Sequence, residues 1–240
     1  MSDAPVPPAR SLTIAVAQPS CTAYDVALNA EAHAKSVIAA QARVVVFPEH
    51  SLTGYQLDAE VVSPGDERLA PIVAACAGTG AIALVGAPVP GPHIGFLAVD
   101  ASGARVAYAK QHLHGEEFDR FVPGSAPAVL EVDGWRLGLA ICRDTGIPEH
   151  AARTAALGID GYVAGVVHSG QEVHVAGERA RRVAAEYGVW AATAAFAGPT
   201  GHGFDRTSGR SGIWSASGET LAEAGPAPDE VASHTFQRPE

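Results

Sequence analysis

Apolar stretches along this chain are short, and Gly, Pro or a polar residue cuts almost every one of them. Leu12 to Ala17 reads as a buried strand. Val44-Val45-Val46-Phe47 is a β-branched run that stops at Pro48, which has no N–H to give a central ladder. Between them, Asp25 to Gln41 reads as an Ala-rich amphipathic helix with Thr22 or Asp25 at its N-cap. Asp66 to Ala77 reads as a second helix, ended by Gly78-Thr79-Gly80. Strands are expected at Ala81 to Ala87, Phe96 to Val99 and Arg105 to Ala109, the last two joined by a hairpin at Asp100-Ala101-Ser102-Gly103. Ala128 to Val132, Trp135 to Ile141, Gly161 to Val167 and Val189 to Thr193 read as further strands, with short ones near Gly212 to Ser215 and Glu219 to Ala222. Helices are expected over Ile147 to Leu157 and Val173 to Tyr187. Such alternation predicts an α/β fold with a mixed sheet, or two sheets, between helices. Trp135, Trp190 and Trp214 fall in strands and are expected in the core.

The 240 residues (24.5 kDa) suit one domain spanning 1–240, with a core over about 12–222 and loosely anchored ends at 1–10 and 224–240. With 47% hydrophobic and 18% charged residues, wholesale disorder is excluded. A net charge of −10 and no Lys/Arg run longer than Arg181-Arg182 argue against nucleic acid as a partner. No apolar stretch is long enough to span a membrane, and Met1-Ser2-Asp3-Ala4-Pro5 does not open a signal peptide. Cys21, Cys76 and Cys142 cannot close a disulfide framework, which predicts a reducing cytoplasm. Gly78-x-Gly80 precedes a strand rather than a helix, so it is no phosphate cradle, and neither GxxxxGK[ST] nor GxSxG occurs.

Three polar residues stand where apolar strands run out. Glu49 follows Val44 to Pro48, Lys110 follows Val106 to Ala109, and Cys142 follows Leu137 to Ile141. Carboxyl ends of strands are where ligand sites collect in α/β sheets. A carboxylate, an amine and a thiol delivered there are the parts of a nucleophilic site. Cys142 also precedes a helix that Asp144 or Thr145 would cap, with Pro148 in its first turn. The positive end of that helix would favour thiolate. The alternative is a thiol packed as a small hydrophobe. Lys110 to Gly124 is a long polar loop between strands, a kind of segment that tends to be functional.

Phe47-Pro48-Glu49 with Leu52-Thr53-Gly54-Tyr55, Tyr108 to Leu113 leading to Phe121-Val122-Pro123-Gly124, and Gly138 to Asp144 leading to Pro148-Glu149 together resemble the nitrilase superfamily of carbon–nitrogen hydrolases. The blocks occur in that family's order, with Glu49 and Lys110 61 residues apart and Lys110 and Cys142 32 apart. The resemblance covers roughly residues 12–222. It implies a four-layer α-β-β-α sandwich and a Glu-Lys-Cys triad, with Glu49 as general base, Lys110 stabilising the oxyanion and Cys142 as nucleophile. It further implies a second carboxylate on the loop. Glu116 and Glu117 both stand there, and counting back seven residues from Gly124 selects Glu117. The reaction implied is hydrolysis of a small amide, without cofactor or metal, through a Cys142 thioester, in a dimer or larger assembly. A nitrilase, an N-carbamoyl amidohydrolase and a binding protein that kept the fold are the alternatives.

Arg143 stands where the family often has an aromatic residue, the Asn common near Ile94-Gly95-Phe96 is missing, and His168 ends a strand where relatives often place a substrate contact. Arg143 could fork a substrate carboxylate, or face solvent, or pair with Asp144 or Glu149. His168 is a pocket residue or a satisfied core histidine. His112 and His114 lack a nearby third ligand, so no metal site is expected. A Cys-His hydrolase would need a His base that no motif nominates.

Overall fold

The computed structural model describes residues 10–238. Its elements run β1 (Ser11–Gln18), α1 (Val26–Ala40), β2 (Val44–Val46), α2 (Ala70–Thr79), β3 (Ile82–Val89), β4 (His93–Asp100) and β5 (Gly103–Ala109). The second half continues with β6 (Val129–Val132), β7 (Trp135–Ile141), α3 (Pro148–Ala155), β8 (Gly161–Val166), α4 (Val175–Tyr187) and β9 (Trp190–Ala195). Strands β10 (Gly212–Trp214), β11 (Thr220–Glu223) and β12 (Glu230–Gln237) close the chain. Two six-stranded sheets result, ordered β12-β1-β2-β3-β4-β5 and β11-β10-β9-β8-β7-β6.

The period-2 pattern of the strands stacks these sheets. Along β1, Leu12, Ile14 and Val16 enter the core between the sheets, while Ala15 and Ala17 join the core under α1 and α2. Along β7, Leu137, Leu139 and Ile141 face the same inter-sheet core, and Ala140 faces the α3–α4 side. Strands covered on both faces read as unbroken apolar runs. The layers are therefore helix, sheet, sheet, helix. All three tryptophans are buried, as their strand positions predicted.

Helix boundaries lie close to expectation, and Asp25 caps α1 through a hydrogen bond from Leu28 N at 2.9 Å. The polar loop after β5 holds a 3-10 turn over Gly115–Asp119. One expectation fails: much of the stretch 224–240 is anchored. Residues Glu230–Gln237 pair with β1 along its whole length, and Phe236 stacks on Trp190 at 4.3 Å between centroids. Such an edge strand buries Ala232 fully and Val231 and Phe236 in part, so its sequence carries no apolar run to announce it. The expectation for residues 1–9 and 239–240 lies outside the described residues.

Strands β1, β2 and β3 are mutually parallel, as are β7, β8 and β9. Because β5 opposes β4 and β4 opposes β3, β5 points the same way as β2 and β3. The carboxyl ends of β2 and β5 are thus at one end of the first sheet. Those of β7 and β8 are brought against them across the sandwich, as the contacts around Glu49 show. None of the helices of the described residues is long and apolar enough to cross a membrane.

Candidate active site

The turn carrying Glu49 is squeezed between the two sheets, and glycine makes the space. A Cβ at Gly86 of β3 would lie 2.2 Å from the Pro48 carbonyl oxygen. One at Gly165 of β8, in the other sheet, would lie 2.6 Å from the Phe47 carbonyl oxygen and 3.0 Å from Glu49 N. The fully buried Glu49 carboxylate therefore emerges in the seam between sheets.

Lys110 enters the same seam from the end of β5. Its backbone is pinned on both sides, Lys110 N donating to Ile94 O at 2.8 Å and Gly124 N to Lys110 O at 2.7 Å. The buried ammonium donates to Glu49 Oε1 at 2.7 Å and to Glu117 Oε1 and Oε2 at 2.6 and 2.8 Å. Glu117 is held further by Tyr55 OH (2.6 Å) and by His114 N (2.9 Å). Of the two loop carboxylates, Glu117 is the one inside, whereas Glu116 is exposed and meets His202 at 3.0 Å. Both Glu117 oxygens are thus doubly engaged. The second oxygen of Glu49, Oε2, is buried with no hydrogen-bond partner among the described residues.

Cys142 ends β7 with φ of 44°, a left-handed conformation that costs a non-Gly residue roughly 1–3 kcal/mol and is tolerated where surroundings enforce it. Its thiol donates to Val167 O, beyond β8, at 3.5 Å. Thr145 Oγ1 donates to the Cys142 carbonyl at 2.7 Å. Behind the turn lies Asp144, fully buried, which the sequence suggested as a helix cap. It does not cap α3, whose N-cap position is Ile147. Instead Oδ1 accepts from His112 N (2.9 Å) and Nδ1 (2.8 Å), while Oδ2 accepts from Tyr108 OH (2.7 Å) and Ile141 N (3.1 Å). Asp144 so ties the Lys110 loop to the Cys142 turn. Tyr108 spends its proton on Asp144, so neutral His150 donates from Nε2 to Tyr108 (2.9 Å) and accepts at Nδ1 from Tyr162 OH (3.0 Å).

Electrostatics overturn one expectation. The Cys142 thiol is held well above the ordinary thiol range, first by burial and then by the Glu49 carboxylate, against the opposing pull of Lys110. The short 3-10 turn at Cys142–Gly146 supplies too little dipole to offset this. Burial also raises Glu49, to about 7, although Lys110 works the other way and Glu117 adds to the rise. Burial disfavours the Lys110 ammonium, but Glu49, Cys142 and Glu117 outweigh it and its pKa is raised. At neutral pH the cluster holds a protonated thiol beside Glu49, whose carboxyl titrates there and in its ionised form can accept the thiol proton.

Arg143 is exposed and pairs with neither Asp144 nor Glu149: its Nη1 sits 3.0 Å from His114 Nδ1. His168 is buried, and its Nε2 has no hydrogen-bond partner among the described residues. Among the described residues no group of three or more His, Cys, Asp or Glu side chains is arranged to hold a metal ion. Sequence reasoning missed Tyr55 as the clamp on Glu117 and Asp144 as a hub. Tyr55 lies within the Leu52-Thr53-Gly54-Tyr55 block and could have been marked from it, whereas nothing local distinguishes Asp144 from a cap.

Comparison with known proteins adds to this geometry. A family model described as carbon–nitrogen hydrolase matches residues 13–240. A Pseudomonas protegens protein described as a hydrolase in the pqqF 5′ region is 32% identical over 167 residues, 63% of this chain. That match spans 58% of the relative's length. Among solved structures, a Cys-to-Ala variant of the Nesterenkonia AN1 amidase from the nitrilase superfamily superposes with a TM-score of 0.82 at 25% identity, covering 97% of this chain and 94% of that one. A Glu-to-Gln variant of the same amidase, showing Michael addition of acrylamide at its active-site cysteine, gives 0.79 at 25% identity over 92% of each chain. A Cys-to-Ala variant in complex with butyramide gives 0.81 at 25% identity, covering 94% of this chain and 90% of that one.

Proposed function

The chain belongs to the carbon–nitrogen hydrolase family, and on that premise we propose that it hydrolyses a primary amide of a small molecule to a carboxylate and ammonia through a thioester on Cys142. The observation that carries the reading is the asymmetry of Glu49: one oxygen is locked on Lys110, the other is buried with no hydrogen-bond partner among the described residues, and the carboxyl group as a whole lies close enough to the Cys142 thiol for the two to shift each other's pKa.

In the first half-reaction Glu49 takes the thiol proton as sulfur bonds to the amide carbon, and the carbonyl oxygen becomes an oxyanion. The Lys110 ammonium, fixed by Glu49 and Glu117 before substrate arrives, stabilises that charge without reorganising. Glu49 returns its proton to the nitrogen, the C–N bond breaks, and ammonia leaves a thioester. Glu49 then deprotonates water, which adds to the thioester carbon. The C–S bond breaks, the thiol regains its proton and the carboxylate departs. Glu117 orients Lys110, with Tyr55 and His114 N as its own supports. Arg143 and His168 are assigned to the acyl side of the pocket. The amide preference is supported by the Nesterenkonia structures, whose descriptions name acrylamide and butyramide on an enzyme called an amidase.

The test is Glu49→Gln incubated with fluoroacetamide or acrylamide and examined by mass spectrometry. One adduct on Cys142 is expected, with no ammonia released catalytically. An adduct confined to Cys21 or Cys76 would overturn the assignment.

The acid–base order sets a pH profile. Glu49 must be ionised to accept the thiol proton, and its pKa is raised to about 7. Below that value Glu49 is protonated and inactive, so kcat/KM should climb with pH through about 7 and then level off. No fall should follow through the ordinary thiol range, because Cys142 stays protonated and Lys110 charged there. An acid limb near 4.5, the ordinary carboxylate value, would contradict Glu49 as the base.

A further inference from the structure

We propose that His33 and Ser51 are the positioning pair for the general base: a hydrogen-bonded chain from helix α1 to Gly86 fixes the turn that carries Glu49. The proposal rests on Glu49 being the base in the amide-hydrolase reading, and it adds the residues that hold that base in place.

Two sets of contacts carry it. The first is a polar chain in which every proton has an assigned direction. His33 is fully buried in α1, and its Nδ1 lies 2.6 Å from the Asn29 carbonyl, which can only accept. Burial holds His33 down at about 4, so at neutral pH Nδ1 carries the one ring proton and Nε2 is a bare acceptor. Ser51 Oγ stands 2.9 Å from that nitrogen and donates to it. The same oxygen accepts from Gly86 N at 3.3 Å. Ser51 is buried too and its proton is spent on His33, so this Ser-His pair is no second nucleophile.

The second set grips the turn itself. Ser51 lies two residues after Glu49, and its N–H donates to the Pro48 carbonyl at 3.3 Å. At Gly86, the other end of the chain, a Cβ would meet Pro48 O at 2.2 Å and Glu49 Cα at 2.9 Å. Leu52 is tied by its N–H to Gly86 O (3.0 Å), and its carbonyl accepts from Asn29 Nδ2 (2.9 Å). Before the turn, the His33 ring packs on Phe47 at 4.2 Å between centroids. Helix α1 thus clasps the chain on both sides of Glu49. The groups that face the Glu49 carboxyl are Lys110, Glu117, Cys142 and Tyr55. His33 is neutral where Glu49 titrates, so it acts through geometry and not through charge. A misplacement of about 1 Å is enough to cost on the order of a hundredfold in rate.

The test uses Ser51→Ala, His33→Phe and His33→Gln in the full chain, with Val37→Ala as a control. Val37 is buried one turn further along α1, outside this hydrogen-bond chain. Ser51→Ala and His33→Phe should each lower kcat for a small amide roughly ten- to a hundredfold, with KM little changed. As the loosened turn admits water, the acid limb of kcat/KM should move from about 7 toward 4.5, the ordinary carboxylate value, because burial is what raised it. His33→Gln puts an amide oxygen near the place of Nε2 and should restore most of the rate and the limb. The double variant Ser51→Ala with His33→Phe should lose no more than the worse single one, since the pair acts as a unit. Val37→Ala should lower the thermal midpoint and leave the limb at about 7. Parental kcat and an unmoved limb in Ser51→Ala would overturn the proposal, as would losses that multiply in the double variant or an equal limb shift in the control. The pH dependence of Cys142 alkylation by acrylamide, read by mass spectrometry, repeats the limb measurement without turnover. If no amide yields ammonia but Ser51→Ala still moves that alkylation limb, the amide reading fails and the anchoring stands.

Discussion

Cys142→Ala should lower ammonia release from a small amide by roughly 10⁴–10⁶-fold, the scale on which nucleophile removal acts in covalent hydrolases. No other thiol can substitute. Cys76 is buried in α2 with its pKa pushed up to about 11, and Cys21 is pushed up to about 12 by burial, its thiol aimed at Ser51 O. The fold should hardly notice the change. Cys142 contributes one long hydrogen bond to Val167 O, and Ala in its place meets the same left-handed backbone, so the strain is neither relieved nor increased. The thermal midpoint should therefore shift by no more than a few degrees. Retained turnover in that variant would remove Cys142 from the reaction. A collapsed midpoint would mean that the turn depends on sulfur in a way its contacts do not account for.

Lys110→Met is expected to do the opposite: damage both function and fold. The Lys110 ammonium is the cation within hydrogen-bond reach of two buried carboxylates, Glu49 and Glu117. Without it, two like charges share a dry seam and at least one must take up a proton. Breaking such a buried ion pair by deleting one partner costs about 3–5 kcal/mol. Activity should fall by more than the 10²–10³ that a lost oxyanion donor explains, because Glu49 will also be protonated and unable to act as a base. Urea unfolding beside an ammonia assay separates these effects. Adding Glu117→Gln to Lys110→Met should recover part of the stability by removing one stranded charge, yet recover no turnover. If Lys110→Met unfolds like the parent, the three-way ion cluster is not a support of the fold.

How much of this was legible beforehand depends on whether a feature is local. Glu49, Lys110 and Cys142 could be marked because each is the first polar residue after an apolar strand, a property of neighbouring residues. The layered α/β fold was legible for the same reason, since strands covered on both faces must be continuous apolar runs. Glu117 was separable from Glu116 only through resemblance; in space the difference is plain, one engaged by Lys110 and Tyr55 and the other facing His202. The expectation of a thiolate failed because a sequence shows the helix that follows a cysteine and not the burial around it, and burial is the larger influence. Asp144 could be read as a cap because Asp is a common one. Its four donors come from β5, the Lys110 loop and β7, which no local pattern joins.

By itself, then, the order of residues determined which elements form and which polar side chains ride at their ends, because periodicity, caps and breakers act within a few residues. Tertiary structure alone decided protonation, partnership and strain: which glutamate holds the lysine, that the sulfur keeps its hydrogen, and that residues 230–237 close the first sheet. These depend on desolvation and on distances between groups far apart in the chain. Such quantities come into being only when the two sheets close on one another.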